Sequence, residues 1–64
     1  MENIDFERLR NDLIDHFGTL AQFYPAAYME VSRVERADHD ELIQIALKEG
    51  FDLNDYVVYS KNMN

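Results

Sequence analysis

Sixty-four residues with thirteen Asp or Glu, six Lys or Arg and no Cys give a chain of formal charge −7. A chain this short buries only about 60% of the surface its unfolded form exposes, so it builds one small domain with a thin stability margin, which a partner chain would widen. The missing Cys excludes a disulfide staple, a thiolate metal site and a thiol nucleophile, while 47% hydrophobic residues exclude a disordered chain.

The punctuation along the chain is helical. Phe6, Leu9, Leu13, Phe17 and Leu20 recur at spacings of three and four, the stripe of an amphipathic helix. Asn3 is the expected N-cap, Asp5 and Glu7 suit the first turn, and Gly18 stands where a left-handed residue ends a helix; the first helix is expected over about 4–17. Thr19-Leu20-Ala21-Gln22 has capping-box form, so a second helix is expected over about 20–36, kinked or restarted at Pro25. Tyr24, Ala27, Val31 and Val34 form one stripe of it, and between Leu20 and Val31 only Gln22, Pro25 and Glu30 are not hydrophobic. Such a helix is either central in a bundle or half of an interface.

Asp38 and Glu41 repeat the capping-box spacing ahead of Leu42, Ile43, Ala46 and Leu47. Gly50 falls at the left-handed C′ position, from which Phe51 can fold back onto Ile45 or Ala46, so a third helix is expected over about 39–49. In the tail, Asn54 can cap a short fourth helix, whereas Tyr56-Val57-Val58-Tyr59 has strand propensity; with no second strand in view, the short helix is favoured, and 60–64 are expected to fray. The fold class is therefore all-α, a single three- or four-helix bundle over 1–64. Its expected core is Phe6, Leu9, Leu13, Phe17, Phe23, Ala27, Val31, Val34, Leu42, Ala46, Leu47 and Phe51.

Chemistry-bearing patterns are sparse. The hydroxyls of Thr19, Ser32, Ser60 and four Tyr stand in no nucleophile-and-base spacing with His16 or His39. Asp12 with Asp15, and Asp38 with Asp40 and Glu41, read as solvated helix faces and caps rather than an acid/base pair, which needs a cleft to raise one pKa. A metal site can be drawn from Asp12 and His16, or from Asp38-His39-Asp40, but the spacing is unspecific; His16 also suits the last turn of the first helix and His39 an exposed first turn. Six scattered basic residues on a chain of charge −7 argue against direct nucleic-acid binding. No catalytic residue, metal or cofactor is expected. The acidic start Met1-Glu2-Asn3-Ile4-Asp5 lacks the regions of a signal peptide and no apolar run is of bilayer-spanning length, so a cytoplasmic protein without membrane contact is expected.

Interaction remains. From Asp38 to Asp55 the carboxylates Asp38, Asp40, Glu41, Glu49, Asp52 and Asp55 face a single Lys48, which places −5 of the −7 in this stretch and suits a basic partner. Tyr24 and Tyr28, one helical turn apart beside Met29, form a second candidate surface, because Tyr and Met are enriched at interfaces. The run Asp38 to Leu53 resembles the helix ending of leader domains in some ribosomally made peptide precursors; it spans a quarter of the chain and lacks the double-Gly cleavage site of such leaders, so no family follows from it. The expected function is that of a small acidic, non-enzymatic protein-binding module, a regulator or subunit, with a homodimer through the second helix as one form of that binding. The alternative is an inhibitor that mimics nucleic acid and occupies the basic groove of a DNA- or RNA-binding protein. An enzyme or metal protein ranks third.

Overall fold

A helix begins where a side chain can hold its first orphaned N–H groups. Here that residue is Asp5 rather than Asn3: its carboxylate accepts from the backbone N–H of Arg8 at 3.1 Å, and helix α1 runs Phe6–Leu20. The computed structural model describes residues 2–59, so the expected fraying of 60–64 lies outside the described residues. Gly18 does not end α1. Leu9, Leu13, Phe17 and Ala21 are buried at spacings of four, and this continuous buried stripe carries the helix through the glycine despite its poor propensity.

Thr19 accordingly caps nothing, and the expected helix over 20–36 begins later. The N–H groups of Phe23 and Tyr24 both donate to the Leu20 carbonyl, at 2.9 and 2.8 Å, and the chain then turns. Pro25 bars its predecessor from the helical region, so the restart follows it, and helix α2 is Ala27–Arg36. Its C-terminus is held from outside: the Arg10 Nη1 of α1 donates to the carbonyls of Val34, Glu35 and Ala37 at 3.0, 3.1 and 2.9 Å.

Helix α3, His39–Lys48, has the expected ends. The Asp38 carboxylate accepts from the Glu41 N–H at 2.9 Å. Gly50 has φ of 82°, and the N–H groups of Phe51 and Gly50 donate to the carbonyls of Ala46 and Leu47 at 2.8 and 3.1 Å, the two bonds of a Schellman motif.

After α3 the chain departs from the expected fourth helix. The Asp52 side chain accepts from the Asn54 N–H, and Leu53–Tyr56 is one turn of 3-10 helix rather than a fourth α-helix. Val57–Tyr59 is then strand β2, antiparallel to strand β1, Glu2–Ile4, with Ile4 opposite Val57 and Asn3 opposite Val58. The partner strand lies in residues that read as a helix start, which is why it was not seen. The described residues are thus mostly helical, three helices plus a two-stranded ribbon.

The core gathers Leu9, Leu13 and Phe17 from α1, Val34 from α2, and Leu42 and Ala46 from α3, with Phe6, Val31 and Phe51 packed against it. Phe23 and Leu47 were expected inside and are exposed. Phe23 lies past the end of α1, off its stripe; Leu47 stands about 200° around α3 from the buried Ile45, which takes its place. Tyr56 is also buried. Among the described residues no helix is long and apolar enough to cross a membrane.

Candidate functional site

Five of the seven candidate acid/base and metal residues, Asp12, His16, Asp38, His39 and Glu41, are drawn into separate structural contacts. His16 Nε2 lies 3.1 Å from Glu49 Oε1, joining the middle of α1 to the end of α3, with the rings of Phe17 and Phe51 edge-on to the imidazole at 5.0 and 5.3 Å. Because α1 runs on to Leu20, His16 is not in the last turn, and its partner is this carboxylate rather than the helix dipole. His39 is exposed, as expected of a first-turn residue, and stacks on Phe6 at 3.8 Å between ring centres. Asp12 accepts from the Tyr56 hydroxyl at 2.6 Å. Burial, then this hydrogen bond and the Asp12 charge, push the Tyr56 phenol up to about 12; the Arg8 guanidinium, 4.8 Å from the ring centre, acts the other way. Among the described residues no group of three or more His, Cys, Asp or Glu is arranged to hold a metal ion.

The acidic stretch is likewise occupied. Asp38 and Asp52 cap α3 and the 3-10 turn, Glu41 lies 3.3 Å from Arg33, and Glu49 faces His16. Asp40 and Asp55 are exposed. The sequence places six carboxylates in this stretch, and four of them already serve the fold.

A different surface stands open at the corner between α1 and α2. Phe23 and Met29 are each 74% exposed, Tyr24 is 68% and Tyr28 62%. The geometry makes this one patch. The N–H groups of Ala27, Tyr28 and Met29 each donate to the carbonyl three residues earlier, so the chain turns tightly from Tyr24 into α2 and keeps Tyr24, Tyr28 and Met29 on one short stretch of backbone. On α2 the inward direction is taken by Val34, which leaves Tyr28 and Met29 on the outer side. Sequence reading singled out Tyr24, Tyr28 and Met29 but assigned Phe23 to the core. The signal that places Phe23 outside is the proline two positions on, which pulls its segment off the α1 stripe.

A concavity lies elsewhere, where α1, α2 and α3 meet. It is a groove of about 310 Å³ lined by the buried Phe17 and Ile45, with Glu30, Arg33, Lys48 and Glu49 among its other lining residues. That volume is at the lower end for ligand sites. Its charged groups alternate in sign: Arg33 lies 3.8 Å from Glu30, so the groove offers no convergent set of one polarity. Comparison with protein families, curated proteins and solved structures gives no significant match, and the function must be argued from this chain's own chemistry.

Proposed function

We propose that the chain is a small, acidic, non-enzymatic module that works in the cytoplasm by binding another protein, its helices forming a bundle that presents the α1–α2 corner to the partner. One observation carries the reading: within seven residues four large apolar side chains, Phe23, Tyr24, Tyr28 and Met29, stand mostly in water. Left uncovered they cost solubility without serving the core, and an exposed patch of this kind marks an interaction site. Tyr and Met also suit such a site, because they bring large contact areas with adaptable edges. The acidic C-terminal half keeps the free module soluble. The nucleic-acid mimic draws less support, since Asp38, Glu41, Glu49 and Asp52 are engaged within the fold rather than arrayed for a basic groove.

A photo-cross-linking residue placed at Tyr24 tests this in the native cell, with the same residue at Asp55 as comparison. Protein adducts from position 24 and few from position 55 are expected. Adducts from position 55 alone would move the contact to the acidic face, and none from either would end the binding reading.

A further inference from the structure

Resting on that reading, we infer that the partner at the α1–α2 corner is a second copy of this chain, bound about a two-fold axis passing near Tyr28 and Met29. The charge distribution selects a copy over a basic protein, and the exposed area is enough to hold one. The charge of −7 is not spread evenly. Residues 19–36 hold Glu30 and Glu35 against Arg33 and Arg36 and are neutral, while the acidic excess lies in the segments before and after. The apolar corner therefore sits on the one stretch that does not repel itself, and it has no negative set of its own to attract a basic surface.

Large side chains of this kind present about 200 Å² when free, so the exposed parts of the four come to about 560 Å² per protomer. Two such patches covered face to face remove about 1,100 Å² from water. The exposed Pro25 and Ala26 between them bring the total to about 1,200 Å², the lower edge of what specific interfaces bury. A two-fold contact requires one patch to complement itself, and a neutral patch of Tyr, Phe and Met at an outward corner meets that condition.

Salt decides between the two kinds of partner. Two copies carrying −7 each repel at long range, so screening tightens their association, whereas screening loosens the grip on a basic partner. Sedimentation equilibrium of the full chain should show a monomer–dimer equilibrium whose dissociation constant falls about fivefold between about 20 mM and about 500 mM salt. Tyr28→Glu and Met29→Glu should each raise that constant by at least about thirtyfold, because the axis brings the two new charges together. Both side chains are mostly exposed, so far-UV circular dichroism should be unchanged. The natural lack of Cys permits a second measurement: Met29→Cys should oxidise to a covalent dimer, and Leu47→Cys, also exposed but on α3, should not. A wild type that stays monomeric at both salts overturns the inference, and so does a dimer that survives both Glu variants or weakens with salt. The protein-binding reading would still stand in those cases if the cross-linker at Tyr24 captures a different protein.

Discussion

The two glycines offer a paired perturbation in which backbone conformation alone sets the sign. A Cβ added at Gly18 or at Gly50 meets nothing within 4 Å beyond its own local backbone, so neither substitution by Ala is limited by space. Gly18 lies inside α1 with ordinary helical geometry, and there Ala is favoured over Gly by about 0.8–1 kcal/mol. Gly50 has φ of 82° at the C′ position of α3, where an L-residue incurs about 1–2 kcal/mol, partly offset by the lower entropy of the unfolded alanine chain. Gly18→Ala should therefore stabilise by about 1 kcal/mol and Gly50→Ala destabilise by a similar amount. In a domain of this size each kcal/mol moves the melting temperature by about 4–8 °C, so the two variants should bracket the wild type by roughly 10 °C in all. Thermal melts followed by circular dichroism at one fixed protein concentration measure this directly. Shifts of the same sign would refute the assignment of helix ends, because Gly18 would then be a terminator or Gly50 a helical residue.

Arg10→Met keeps the aliphatic stem but strips the α2 C-terminus of a donor shared among three carbonyls; a loss of about 2 kcal/mol is expected in urea melts, and a loss below about 0.5 kcal/mol would mean that water replaces it freely. Asp38→Ala should cost about 1 kcal/mol through the lost cap of α3, whereas Asp40→Ala, two residues on, should stay within a few tenths; equal effects would show that charge rather than capping matters there. For Tyr56 the phenol is raised from 10.0 to about 12, so between those pH values the folded chain keeps a proton that the unfolded chain has lost. Its contribution is fully present below about pH 10 and fades toward pH 12, and stability should fall across that window. Tyr56→Phe should remove that slope along with the latest-titrating tyrosinate absorbance; a wild type without either would contradict the burial of Tyr56 and its contact with Asp12.

Helix boundaries were legible wherever the sequence carries a side-chain cap or a left-handed glycine together with an apolar stripe, as in α3, where Asp38, Gly50 and Phe51 stand as their residue types imply. They were misread where two local signals compete. Gly18 and Thr19 spell the end of one helix and the start of another, yet burial of Ala21 four residues beyond Phe17 carries α1 past both. The ribbon was invisible for a different reason: three-residue strands lack a period to read, and β1 pairs with β2 across most of the chain length, a contact that no local pattern encodes. Of the candidate surface, Tyr24, Tyr28 and Met29 were legible from the excess of apolar residues on one helix. Phe23 was not, since its exposure depends on where α1 stops. The structural engagement of Glu41 and Glu49 was hidden as well, because Arg33 and His16 approach from other helices.

The most direct test of the central claim follows individual methyl groups of the dissolved protein. With Met29 and Leu47 labelled, methyl spectra recorded from millimolar to micromolar protein compare the α1–α2 corner with a reporter elsewhere, an exposed apolar side chain on α3. The account predicts that the Met29 resonance moves with concentration, that Leu47 stays in place, and that Tyr28→Glu fixes Met29 at its dilute position. A Met29 methyl that does not respond to concentration while Leu47 does would contradict it, and would place the contact on α3.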